Sequence, residues 1–247
     1  MDFTLKKYED LCRAIKNSKS DSFTVKDYLS SKVKNNFIIM RHDVDRSPKN
    51  ALKLAKIENK YNIKSTFYFR LKTFDKKIMN QIKNLGHEIG YHYESLDEAK
   101  GNFEKAKELF IKNLKKFKNF NIKTVCMHGN PLTKWTNKDM WEKYNLKKLG
   151  IIGEAYLSID FNNLNYFSDT GRKWNSEKYS LKDKTESKLI KIKNTDMLIN
   201  AIQNNKTKKA YILTHPCRWN DNIFYWTKEL IIQNIKNKLK VVLRYLR

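Results

Sequence analysis

The stretch FIIMRHDVD (37–45) decides how the chain is read: four apolar residues run without a break into a polar end carrying two carboxylates. An uninterrupted apolar run of this length suits a strand buried on both faces of a parallel sheet. Side chains alternate along a strand, so Asp43 and Asp45 share one face. Two carboxylates ending a buried strand cost free energy unless a metal, a substrate or the solvent at a sheet edge compensates them.

Working outward, Ser47-Pro48 opens a helix that runs to about 61, with proline in the first turn. Strand composition returns at KSTFYFR (64–70), HEIGYHYE (87–94), TVCMHG (124–129) and KAYILTH (209–215). Between them lie a helix KKIMNQIKNLG closed by Gly86, a long Lys-rich helix over 96–117, helical turns over 137–148 and a helix over 195–204. Strand-like pieces fall at 150–160 and NYFSD (165–169), and helices at 5–17 and 223–238; the chain closes with an extended KVVLRYLR. Strands alternating with crossovers of this length imply parallel pairing and right-handed connections. The expected class is α/β, closed or nearly closed into a barrel. The expected organisation is one domain over 1–247: a helical extension packed on the barrel (1–35), the motif-bearing barrel (36–216), and a terminal helix and strand (217–247).

Three cysteines, Cys12, Cys126 and Cys217, are odd in number and far apart, which fits a reducing compartment better than a disulfide framework. The first helix is charged and amphipathic, with the character of neither a signal peptide nor a membrane span, so a cytoplasmic protein is expected. The formal charge is +25, but only 8 of the 51 basic residues are arginine, and the lysines are scattered along the whole chain. That pattern reads as solvated faces, with attraction of an anionic substrate as the remaining role and nucleic acid not expected as a partner. Against so lysine-rich a background the arginines stand out. Arg41, Arg46, Arg70, Arg172 and Arg218 all lie in or beside the polar motifs. A planar guanidinium grips a carboxylate or phosphate in two places, so Arg41 and Arg218 are candidate substrate contacts; the plainer role is to neutralise buried acids.

The polar signatures fall at the C-terminal ends of strands, where loops of α/β folds build sites. HDVD, HYE, HGNP and LTHPCRW all converge on that rim. Parity puts His92 and Glu94 on one face and His87 on the other. Two carboxylates from one strand, with an imidazole and a carboxylate from another, make an oxygen–nitrogen site for a divalent ion. Zn²⁺ is the first expectation, with Mn²⁺, Co²⁺ or Fe²⁺ for a larger coordination sphere. A carboxylate left off the metal can take a proton from water and a facing histidine can protonate a leaving group, roles that suit Asp43 and His215. His128, at the rim, is a candidate substrate contact; Cys217 reads as a spectator rather than a nucleophile.

RHDVD, STFYF, GHEIGYHYE, HGNP, SDTGRKW and ILTHP occur in the order of the motifs of the polysaccharide deacetylase family (carbohydrate esterase family 4), which the chain resembles over about 36–216. It looks closest to the branch found with O-antigen and capsule biosynthesis. The resemblance implies a distorted (β/α) barrel and metal-dependent removal of an acyl group from a sugar. It also implies Asp43 as base, Asp45 and His92 as metal ligands and His215 as general acid, with Leu213 lining the acyl pocket. Asp169 and Trp174 resemble the motif that tunes the histidine, and Arg172 stands in for the arginine that pairs with the base. Trp174 is also a candidate for stacking on a sugar face. The pattern departs at Leu96, where the family carries its third ligand. Either Glu94 replaces it, which is the expectation, or another group such as His128 swings in, or the metal site is lost.

The expected function is removal of an N-acetyl or N-formyl group from an intracellular sugar intermediate, nucleotide- or lipid-linked, in surface polysaccharide synthesis. The competing readings are an amidohydrolase with a non-sugar substrate, a non-catalytic sugar-binding relic, and a nucleic-acid binder motivated only by charge. The sequence gives no oligomeric state.

Overall fold

A computed structural model describes residues 1–30, 33, 36–174 and 190–245 of the chain. Its elements begin with α1 (Leu5–Asn17), β1 (Asp21–Phe23), α2 (Val25–Ser30), β2 (Phe37–Val44), α3 (Pro48–Lys60), β3 (Thr66–Phe69), α4 (Lys76–Asn84) and β4 (Glu88–Tyr93). They continue with α5 (Ser95–Glu98), α6 (Phe103–Leu114), β5 (Thr124–Met127), β6 (Gly153–Glu154), β7 (Asn165–Ser168), α7 (Thr195–Gln203), β8 (Lys209–Thr214) and α8 (Ile223–Tyr245).

All strand pairs are parallel, and the order across the sheet is β6-β5-β4-β3-β2-β8-β7. The short β1 pairs with the first half of β2 and β3 with its second half, so both lie on the same side of it. Every residue of β2 is buried, as its unbroken apolar run requires. The sheet curls into a half-barrel. Arg41 on β2 and Cys126 on β5 are three strand spacings apart, about 14 Å across a flat sheet, yet Arg41 Nη2 reaches Cys126 Sγ at 2.6 Å. Beyond β6 the chain folds across the open side: the Phe161 ring meets those of Tyr166 and Tyr211, each at 5.4 Å between centroids.

Alternation divides the buried residues between two compartments. Inward point Arg41, Asp43, Tyr68, Thr124 and Cys126, with the Tyr68 hydroxyl 2.8 Å from Thr124 Oγ1. Gly90 makes room for that tyrosine, since a Cβ there would lie 2.3 Å from the ring. Glu88 plugs the N-terminal end of the interior, accepting from Thr66, Thr124 and the Lys26 amide. Outward, between sheet and helices, Glu58 of α3 is fully buried. It accepts from Tyr8 of α1 (2.7 Å) and Ser65 (2.6 Å), and lies 2.8 Å from His42 Nε2 of β2. His87 joins this outer group, with Nε2 3.0 Å from the Ala55 carbonyl, on the face its parity assigned.

Three expectations need correction. The helix expected over 96–117 is two helices, because Lys100 and Gly101 take left-handed φ of 51° and 87° and Asn102 then caps α6. The stretch 150–160 supplies only the two residues of β6. The closing segment KVVLRYLR is not a strand. As far as Tyr245 it continues α8, and residues 246 and 247 lie outside the described residues. Among the described residues its β-branched valines find no neighbouring strand, and helical hydrogen bonds satisfy the backbone instead. Among the described residues no helix is long and apolar enough to cross a membrane.

Candidate functional site

The polar ends of β2, β4, β5 and β8 meet at one rim. Asp45 follows β2 directly and stands at the centre: its Oδ1 lies 3.3 Å from His92 Nε2 and 3.7 Å from His128 Nε2, and its Oδ2 3.9 Å from His215 Nε2. Burial alone would raise the Asp45 pKa, but the three imidazoles hold it well below the usual carboxylate range. His92 is fixed from behind, with Nδ1 2.9 Å from the Cys126 carbonyl, which leaves Nε2 facing Asp45. The His128 amide donates to the Tyr93 carbonyl, and Asn137 holds the His128 carbonyl at 2.8 Å. Burial, with help from His92 and Arg70, lowers His128 to about 4, so it stands neutral at pH 7.

Asp43 lies one layer deeper. Arg41 grips both its oxygens, Nε to Oδ1 at 2.8 Å and Nη2 to Oδ2 at 2.7 Å. Burial opposes ionisation of Asp43, but Arg41 and then His92 outweigh it and lower the pKa. Arg41 is itself fully buried and stacks on the Tyr156 ring at 4.3 Å. The guanidinium paired with Asp43 is therefore Arg41, and Arg41 cannot meet a substrate. Arg172, expected in that pairing role, instead donates to the Trp226 carbonyl at 2.8 Å and lies over the Trp226 ring. Its backbone is left-handed, at φ 55°.

His215 follows β8 and forms a dyad with Asp169, which follows β7: Nδ1 to Oδ1 is 2.6 Å, and the His215 amide donates to Oδ2 at 3.0 Å. Trp219 Nε1 donates to Oδ2 at 3.0 Å, and Arg218 Nη1 to Oδ1 at 2.5 Å. Arg218 Nη1 also lies 2.6 Å from His215 Nδ1, so two donors crowd one carboxylate oxygen. Arg218 and then His215 hold Asp169 ionised against the burial that opposes it. Arg218, expected at the substrate, is thus committed to Asp169, although it borders the cavity above.

Glu94, expected as a metal ligand, is engaged by basic side chains, and its Oε2 lies 3.5 Å from His128 Nδ1. Strand β4 ends at Tyr93, the chain turns into α5, and parity no longer sets its direction. Arg70, at the end of β3, pairs with the Glu94 carboxylate, and Lys72 lies 3.8 Å from it. Leu96 is fully buried. His128, expected chiefly as a substrate contact, occupies the space beside His92 where Glu94 was expected. Trp174 is core rather than sugar platform, buried against Phe3 and Trp219 and donating to Thr195 Oγ1 at 2.9 Å. Leu213 is also fully buried, paired in register with Arg41 and Ser168, and does not border the cavity.

That cavity, of about 420 Å³, is lined by Asp45, Arg70, His128 and Arg218 on the barrel side and by Gln233 and Lys236 of α8 on the other. Asp43 and His92, 4% and 2% exposed, lie beneath the floor that Asp45 and His128 provide. Cys217 borders the cavity, but burial pushes its thiol up to about 12, which suits a spectator. A further donor was missed: Asp43, His92 and Cys126 bring ligand atoms within 4.8 Å of one another, a buried group that could hold a metal ion. Cys126 and His128 stand two apart in TVCMHG, so the parity that paired His92 with Glu94 would have found it. No protein-family model matches the chain, and no curated protein matches it.

Proposed function

We propose that the chain is a deacetylase-like hydrolase that takes an N-acyl group from an intracellular sugar intermediate of surface polysaccharide synthesis. The fold behind this reading is a polysaccharide-deacetylase-like distorted barrel. One observation carries it: the two carboxylates ending β2 have different partners. Arg41 clamps Asp43, while three imidazoles surround Asp45. Environments that separate two neighbouring carboxylates in this way suit one to proton transfer and the other to a metal.

Asp45, His92 and His128 would hold the ion. Two imidazoles and a carboxylate with a position left open are a known catalytic set for Zn²⁺. One atom supports the fit: Asp45 Oδ1 is buried without a hydrogen-bond partner, and the Nε2 atoms of His92 and His128 face it. The Asp43–His92–Cys126 group fits less well. Arg41 already lies against both Asp43 oxygens and the Cys126 sulfur, so an ion there would sit beside a buried cation. A divalent ion at Asp45 supplies a Lewis acid for an acyl carbonyl and lowers the pKa of bound water toward about 7.

The chain's own groups do the rest. Asp43, kept ionised by Arg41, accepts a proton. His215, oriented by Asp169 through Nδ1, delivers one from Nε2 to the departing amine. Arg70 and Lys236 on the cavity wall suit the phosphate of a nucleotide- or lipid-linked sugar. The test is release of acetate or formate from nucleotide-linked N-acyl amino sugars by the metal-loaded protein. Asp43→Asn is expected to abolish release with the metal still bound. Full turnover by that variant refutes the base, and no release from any acylated sugar or simple amide refutes the hydrolase. A non-catalytic sugar binder has one observation in its favour, the depth of Asp43 beneath the cavity floor. It predicts sugar binding and bound metal without turnover.

A further inference from the structure

An ordinary surface helix turns its apolar stripe to the core and its charges to water. Helix α8 does the reverse. The residues it buries at four-residue spacing are Glu229, Gln233 and Asn237. Glu229 accepts from Arg46 at 2.7 Å, Gln233 donates to Asn237 at 2.9 Å, and Asn237 donates to the Gly171 carbonyl at 2.8 Å. On the opposite face Phe224, Ile231, Ile235, Leu239 and Val242 are each between 54% and 67% exposed. Their spacing of seven, four, four and three residues makes one continuous stripe, about 27 Å long at 1.5 Å per residue. Ile223 and Tyr225 are also exposed, to either side of it, at the start of the helix. Seven of the twelve large apolar residues that stand exposed on the described surface belong to this one helix. A patch so continuous marks a surface that another phase or molecule covers.

The charges select the cover. Lys228 and Lys238 fall on the apolar face, whereas Lys236 and Lys240 turn with Gln233 toward the cavity. The helix has one acidic residue, Glu229, and that is turned inward onto Arg46. A second copy would bring the same lysines face to face and join two chains of formal charge +25. Anionic lipid headgroups reverse that sign, and lysine stems can lie along the apolar surface while the ammonium groups reach the phosphates. We propose that the outer face of α8 lies in the plane of an anionic lipid surface, its stripe buried among the acyl chains and its lysines at the headgroups. This docking does not rest on the hydrolase reading, and either can fail without the other.

Flotation of the full-length protein with vesicles tests it. Binding is expected to vesicles of phosphatidylcholine with phosphatidylglycerol and not to phosphatidylcholine alone. Ile231→Glu combined with Ile235→Glu, both pointing away from the barrel, should lower the partition coefficient at least about tenfold with an unchanged circular dichroism spectrum. If that variant misfolds, Lys228→Glu with Lys238→Glu replaces it and should lower binding to the anionic vesicles by a comparable factor. Three results overturn the proposal: no binding of the wild type to anionic vesicles; wild-type binding by a well-folded Ile231→Glu, Ile235→Glu variant; or a wild-type dimer, seen by sedimentation, that the isoleucine substitutions convert to monomer.

Discussion

Replacing Arg41 by methionine keeps most of the side-chain volume and leaves Asp43 without its counter-charge. Both partners are buried, and the pair makes two parallel hydrogen bonds at 2.8 and 2.7 Å. Breaking a buried pair from one side typically costs about 3–5 kcal/mol, because the surviving charge is stranded. The cost should also depend on pH. In the wild type the folded Asp43 pKa lies below its unfolded value, so its contribution is present above about pH 4 and is lost as pH falls. In Arg41→Met only His92 and His215 still oppose burial, and the folded pKa rises above the unfolded one. The folded state then binds the proton more tightly, and the variant recovers stability as pH falls from 8 toward 5. Adding Asp43→Asn should remove both the cost and the slope. Urea denaturation of chelator-treated protein at pH 8 and pH 5, for wild type, single and double variants, measures all of this. A cost below about 1 kcal/mol that is the same at both pH values would refute the buried-pair account, whatever the protein's activity.

Metal content divides the two donor groups: His92→Ala and His128→Ala should each abolish stoichiometric Zn²⁺ binding in equilibrium dialysis, with Glu94→Gln and Cys126→Ser retaining it. Loss on Cys126→Ser with retention on His128→Ala would move the ion to the deeper group. Asp169→Asn frees the His215 ring, and acyl release should fall by two orders of magnitude or so in kcat, with little change in KM. Gly90→Ala drives a methyl group into the Tyr68 ring and should cost about 1–3 kcal/mol, read as a lower Tm by calorimetry. Glu58 is lowered in the folded state: burial opposes this, but His42 and the other donors prevail. Its stabilisation holds above the unfolded value near 4.3 and disappears as pH falls below it, so Glu58→Gln should flatten the acid limb of the stability curve.

The strands and the rim were legible because they follow from alternation. FIIMRHDVD could only be a strand buried on both faces, and the parity of His92, Asp43 and Asp45 carried directly into their meeting at Asp45. Legibility ended where alternation did. Glu94 stands one residue past the end of β4, and its partner Arg70 comes from β3, a contact that no spacing within either segment encodes. The arginine that pairs with Asp43 was sought among the later motifs, yet it was Arg41, two residues before Asp43 on the same face of the same strand. Trp174 and Leu213 have the composition of a sugar pocket and of a core alike, and burial chose the core. Helix α8 was misjudged at its end because β-branched composition registers local preference only; strand formation needs a neighbour, and among the described residues none pairs with it.

The Glu58 cluster bears on where this molecule can be divided. By sequence the opening helix reads as an extension laid on a barrel. In the structure Tyr8 shares its carboxylate with His42 and Ser65, and Phe3 packs on Trp174 and Trp219. The Asp2 carbonyl accepts from Trp226 of the last helix, so the first residues are latched to both the early and the late parts of the shell. Excising α1 would take one of its donors from Glu58 and unseat the tryptophan that holds Asp169. A tether or a pulling force applied at the N-terminus would load the rim directly. The unit that must fold together therefore includes Asp2 and Phe3, far upstream of the first strand that carries polar rim residues.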